Sequence, residues 1–143
     1  MLLTTKLATF EQINKVNYYI FYAHLNQSCY LTKKSKLRHA QDVGKILYDY
    51  EFPADIVIAG YLHDVIECTG ENKIEEITRL FGKNISNLVL QVTESTNDCN
   101  SFANWLGQKI NHIESLKNPA LYDEASCYIT LAEKLAILQD LSM

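Results

Sequence analysis

His63 and Asp64 set an imidazole beside a carboxylate near the end of the most apolar stretch of the chain, ADIVIAGYLHDVIE. Burying both groups is costly unless something compensates them. A divalent metal ion would do so: neutral imidazole nitrogen and ionised carboxylate oxygen suit manganese, iron or zinc, and a set leaning towards oxygen is compatible with manganese. The alternative is a histidine hydrogen-bonded to its own buried carboxylate for structure alone, the commoner reading of an arbitrary His-Asp dipeptide. Glu67 follows His63 by four residues, which on a helix places it on the same face, where it could orient or deprotonate a water. As a residue of the last helical turn it could equally be solvated. Cys68 follows Asp64 at the same spacing and so borders the same region.

Glu133 sits among Ile129, Ala132, Ala136 and Ile137, so its carboxylate faces the core unless it leans out or pairs with Lys134 or Lys109. The basic run Lys33, Lys34, Lys36 and Arg38 falls immediately before His39 in a chain that is otherwise acidic. It reads either as a solvated loop or as a group of cations that acts locally. His24 and His112 have no neighbouring ligand pattern and are expected to be structural or surface residues.

The elements that must position these groups are helical. Strand signals are weak, and with two prolines and five glycines little interrupts the recurring helical periodicity, so an all-α bundle of about six or seven helices is expected. Thr9 and Gln12 have the spacing of a capping box, opening an amphipathic helix through Ile13, Val16, Tyr19, Ile20 and Ala23 to near Gln27. A second helix is predicted from about Arg38 to Tyr50, burying Ala40, Val43, Ile46 and Leu47. Pro53 suits the first turn of a third, buried nearly all round, which carries His63-Asp64 and ends at Gly70. Asn72 and Glu75 cap a short helix that stops at Gly82, and NISNLVLQVTEST gives another. A longer one is expected from about Ser101 to Leu116 with Trp105 on its apolar face, and a last one from Pro119 towards Asp140. No repeat or low-complexity linker is visible.

A chain of 143 residues, 48% apolar, can build one continuous core and is short for two, so residues 1–143 are read as one domain. The net charge of −4 argues against general nucleic-acid or anionic-membrane binding, which need a cationic surface. The four cysteines, Cys29, Cys68, Cys99 and Cys127, form no Cys-x-x-Cys pair and read as reduced packing residues of a cytoplasmic protein. MLLTTKLATF lacks the basic start, long apolar run and cleavage site of an export signal, and no segment approaches the roughly 20 apolar residues of a membrane span.

Several segments, in order along the chain, resemble the HD-domain phosphohydrolases, and within them the hydrolase domain of the RelA/SpoT guanosine tetraphosphate enzymes and their single-domain relatives. YAHLNQ at 22–27 is similar to the first-helix segment, RHAQDVGKIL at 38–47 to the one carrying the first metal histidine, and IAGYLHDVIECTG at 58–70 to the histidine-aspartate stretch. EEITRLFGKNISNLVLQVTEST at 75–96 and LAEKLAILQD at 131–140 complete the series. The resemblance implies a helical fold holding a divalent ion, usually manganese, on two histidines and two aspartates. These map onto His39, His63, Asp64 and Glu133, the last a glutamate in place of aspartate. It implies catalysis by Asp64 and Glu67, but the Glu-Asp pair of the family stands here as Glu67-Cys68. The nucleotide-holding asparagine after the last ligand is Ile137, and the arginine expected against the guanine is missing from Ser28-Cys29-Tyr30.

The leading expectation is metal-assisted hydrolysis of a phosphorylated nucleotide, with guanosine tetraphosphate losing its 3′-pyrophosphate as the first candidate. Lys33, Lys34, Lys36 and Arg38 would neutralise phosphate. Two readings compete with it: a degenerate domain that binds a nucleotide or partner without turnover, and a hydrolase of another nucleotide. Pairing with a second copy through an apolar face is compatible with this class of small helical domain.

Overall fold

The computed structural model describes residues 6–29, 32–69, 73–93, 106–107, 110–111, 114 and 124–142. Among them are seven helices and no strand, with one isolated bridge pairing Ser28 and Ser35. The first helix, α1 (Phe10–Ala23), opens on the predicted capping box: the Gln12 amide donates to the Thr9 hydroxyl at 3.1 Å, and the Thr9 amide donates to the Gln12 side chain at 2.8 Å. It stops at Ala23 rather than near Gln27, because Asn26 takes a left-handed φ of 59° that a helix cannot continue through.

α2 (Lys36–Asp49) starts two residues before the predicted position because Ser35 caps it, its hydroxyl accepting from the Arg38 amide at 3.1 Å. The Lys36 amide donates back to the Gln27 carbonyl at 2.9 Å, which ties the start of α2 to the end of α1. Pro53 stands just outside α3 (Ala54–Leu62) as its N-cap, and its carbonyl accepts from the Ile56 and Val57 amides at 3.0 and 3.1 Å.

α3 is the central helix the apolar run predicts. Every residue but Asp55 is buried, and α1, α2, α6 (Lys83–Val92) and α7 (Glu124–Leu141) all pack against it. Its length differs from expectation: the chain leaves the helix at His63-Asp64 and resumes as a short α4 (Val65–Thr69). In a continuous helix the Gly60 carbonyl would accept from the Asp64 amide. Here it accepts from the His63 ring at 2.8 Å and, at 3.4 Å, from the His63 amide. The break thus lies at the histidine itself, so that His63 and Glu67 do not share one continuous helix.

Glycine sets how closely α2 and α3 approach. A Cβ on Gly44 would lie 2.4 Å from the Tyr61 ring, and one on Gly60 would lie 2.4 Å from Leu47 Cδ1. α5 (Lys73–Phe81) and α6 are separated by Gly82 at φ 100°, the stop the sequence predicts. The expected cap at Asn72 lies outside the described residues, as do Trp105, Lys109, His112, Pro119 and Cys99. Leu106, Gly107, Ile110, Asn111 and Glu114 are helical, in keeping with the predicted stretch. Ile20, Leu47, Ile58, Leu62, Ile66, Ile77 and Ile129 are the largest apolar side chains sealed in the core. No helix among the described residues is long and apolar enough to cross a membrane.

Candidate metal centre

His39 enters the core from the first turns of α2, on the face that carries Val43 and Leu47 at four-residue spacing. His63 and Asp64 reach it from the break between α3 and α4. The His63 ring is fixed by its Nδ1, which faces the Gly60 carbonyl at 2.8 Å. A carbonyl only accepts, so Nδ1 carries the proton, and in the neutral ring Nε2 is left as a lone pair. That nitrogen lies 3.3 Å from His39 Nε2 and 3.3 Å from Asp64 Oδ2, while His39 Nε2 is 3.8 Å from the same oxygen.

Three donor atoms from three buried side chains therefore converge within 4.8 Å of one another. An ion about 2.0–2.2 Å from each donor spreads neighbouring ligands to roughly 3–3.5 Å; the two separations from His63 Nε2 match this, and the His39–Asp64 separation of 3.8 Å is slightly longer. The ring-to-carbonyl bond is also the support that metal-binding histidines ordinarily receive. The residues present fit a divalent cation.

The electrostatics agree. Burial, then the neighbouring His63, hold His39 down to about 4, so it stays neutral at physiological pH. For His63 burial again opposes charge, but the Asp64 carboxylate, by charge and by hydrogen bond, followed by Glu133 and the Gly60 carbonyl, outweighs it and lifts the ring to about 9. Asp64 is likewise penalised by burial, yet His63, Lys36 and His39 hold it well below the usual carboxylate range. A place that retains a proton so firmly is a place for a cation, and a metal ion would replace that proton.

Glu133, on the buried face of α7 with Ile129, Ala132 and Ala136, is 5% exposed, as its apolar neighbours imply. It is absent from the group of atoms within 4.8 Å, and its Oε2 lies 3.2 Å from Lys134 Nζ. It still acts on both histidines by charge. Glu67 is half-buried in α4, past Asp64. Of the basic run, Lys36 reaches the centre, its Nζ 3.5 Å from Asp64 Oδ2. Lys34 turns instead to Asp42 and Asp140, the latter at 2.8 Å. Lys33 and Arg38 are exposed, and the Cys68 side chain lies outside the described residues.

His24, expected to be a structural or surface residue, is buried beside the centre. It is 2% exposed, its Nδ1 lies 3.0 Å from Gln27 Oε1, and its buried Nε2 has no hydrogen-bond partner among the described residues. Burial lowers its pKa, and the charges of Asp64, His63 and Lys36 all reach it. One signal was available: His24 continues the Val16–Ile20 row at four-residue spacing.

Comparison with known proteins follows the same lines. A family profile described as HD domain matches residues 19–143. The fold overlays a solved structure of a metazoan ortholog of SpoT, a protein that hydrolyses ppGpp and plays a role in starvation responses, with a TM-score of 0.71. The two are 24% identical, and the match covers 96% of this chain and 73% of that one. Among curated proteins no match is found.

Proposed function

Since the chain belongs to the HD domain family, we propose that it is a metal-dependent phosphohydrolase of a phosphorylated nucleotide, with guanosine 3′,5′-bispyrophosphate as the first candidate substrate and manganese as the ion. The observation that carries this reading is the convergence of His39, His63 and Asp64 in a buried site, with Lys36 at its edge. Those three side chains would hold the ion, and the Glu133 carboxylate would complete its charge from α7. Bound there, a divalent cation supplies Lewis acidity for the attacking water and the phosphoryl oxygen.

The chain's own groups have distinct tasks in this reading. His63 Nδ1–H stays on the Gly60 carbonyl and keeps the ring from rotating. Glu67, on the first turn after the break, takes the proton from the water. The Lys36 ammonium offsets charge on the transferred phosphoryl group. The ppGpp activity of the overlaid relative supports the substrate class. A cytoplasmic location follows from such a substrate.

A second reading is favoured by one observation: Glu133 is turned to Lys134 and lies outside the donor group. In that case the domain binds nucleotide without turnover. Incubation with manganese and a panel of phosphorylated nucleotides, beside Asp64→Ala, separates the two. Pyrophosphate release by the wild type and none by the variant is the expected result. Wild-type protein that holds manganese and turns over nothing would establish the non-catalytic reading.

A further inference from the structure

A second cavity opens between α1 and α5, sharing no residue with the metal centre. Its volume of about 340 Å³ falls in the range of roughly 300–1,000 Å³ usual for small-molecule sites. Four of its nine lining residues are aromatic: Tyr18, Tyr19 and Tyr22 from α1 and Phe81 from α5. Tyr18 and Tyr22 stand edge to face with centroids 5.2 Å apart, and Tyr19 meets Phe81 edge to face at 5.6 Å. The outer pair is largely open to solvent, Tyr18 at 69% and Tyr22 at 57%. Ring faces left open in this way, beside others already fixed in place, are a ready stacking surface.

The charges at the cavity are of mixed sign with a positive excess, in a chain whose net charge is −4: Lys15 and Lys73 against Glu76. Glu76 is met by Lys73 at 3.5 Å. Lys15 donates to the Leu80 carbonyl and lies 5.2 Å from the Phe81 centroid, so its charge is met by a dipole and a ring face rather than by a carboxylate. The buried Tyr19 hydroxyl has no well-formed hydrogen bond among the described residues. Burial, then the charge of the Glu76 carboxylate and a hydrogen bond to it, push it up to about 12, so it remains a neutral phenol.

These features discriminate between ligand classes. An organic cation would find the face of Phe81 already taken by Lys15 and the carboxylate of Glu76 already taken by Lys73. An anion would find the Lys15 ammonium, met by a dipole and a ring, and the Lys73 ammonium, shared with Glu76. We propose that this cavity binds a planar aromatic molecule carrying an anionic group, its ring stacked against Tyr18 and Tyr22 and its anion held by Lys15 and Lys73. The site is separate from the metal centre and does not depend on the phosphohydrolase reading.

The test is a two-dimensional NMR titration of the full chain with three probes of one shape and different charge: 2-naphthoate, 2-naphthol and 2-naphthylmethylammonium. Naphthoate is expected to shift the amides of residues 15–23 and 73–81 saturably and to bind about tenfold more tightly than naphthol, with the ammonium weaker still. Lys73→Gln and Tyr22→Ala, both at solvent-accessible positions, should each weaken naphthoate binding about fivefold or more while leaving the far-ultraviolet circular dichroism unchanged. Tighter binding of the ammonium than of naphthoate would overturn the assignment. So would the absence of saturable shifts, or shifts confined to the amides around His39, His63 and Asp64.

Discussion

Lys34 and Lys36 stand two residues apart in one basic run and are almost equally covered, with side chains 25% and 20% exposed, yet they end in unlike surroundings. Lys34 lies between two aspartates, Asp42 on α2 and Asp140 on α7, which are 30% and 15% exposed. Lys36 faces Asp64, which is 6% exposed and shares its charge with two imidazoles. The lysines do not make the difference; the burial of their partners does. Water screens the Lys34–Asp42 pair of the first cluster, which is worth little. In the second, one carboxylate in a dry space must balance several groups, and each charge there depends on all the others.

The largest effect should come from removing the two aspartates in turn. Asp64→Ala is expected to weaken manganese binding by about three orders of magnitude or more and to abolish hydrolysis, since it removes a ligand and leaves His63 without its counter-charge. Asp42→Ala should leave both within about twofold of wild type. Calorimetric metal titration of the two variants checks this, and equal losses would erase the distinction between the clusters. Glu67→Gln sharpens it further. The metal affinity should persist while turnover falls by about 10²–10⁴, because the change removes a proton acceptor and not a ligand. Loss of metal binding in that variant would make Glu67 part of the ion's own shell.

Acidity divides the clusters in another way. In metal-free protein His63 is held up to about 9, so its stabilising contribution is complete below its ordinary 6.5 and is lost as the pH rises through about 9. His39 is held down to about 4, so its contribution is complete above 6.5 and is lost as the pH falls towards about 4, where the lowered Asp64 adds to the same decline at still lower pH. Stability measured by denaturant should therefore peak near pH 6.5 and fall on both sides, by on the order of 2–3 kcal/mol on the alkaline side. Manganese should lift the alkaline side most, because it takes the place of the His63 proton. Lys34, raised by Asp140 and then Asp42, contributes nothing to this curve: its effect is complete below 10.5 and lost only above it. A flat profile between pH 5 and 9 would show that the buried groups are not coupled as their geometry requires.

The contrast between the clusters also marks what could be read from the chain alone. His63-Asp64 was legible because the two groups are neighbours and the run around them is apolar. Glu133 was legible as buried because the residues one turn away on either side are apolar. The break at His63 was not, because it depends on a ring taking a carbonyl that a helix would otherwise use. Nor could composition separate Lys34 from Lys36. Lys33 adopts a left-handed φ of 62° and a bridge pairs Ser28 with Ser35, backbone features that composition does not show. The nearness of His24 to the centre was not legible, because the charged groups that reach it, Asp64 and Lys36, are distant in sequence.

The smallest effects test the lysines themselves. Lys36→Ala removes the cation nearest Asp64 and should raise KM for a phosphorylated nucleotide about tenfold with a smaller change in kcat, as expected for a group that binds phosphate in ground and transition states alike. Lys34→Ala should leave KM unchanged and cost less than about 1 kcal/mol of stability, the usual yield of a partly exposed ion pair. The loss should also shrink on adding salt, since water and counterions reach the Lys34–Asp42 pair. If Lys34→Ala instead raised KM as much as Lys36→Ala, the basic run would act as one phosphate-binding patch. The partition of its charges between α7 and the metal centre would then have no functional meaning.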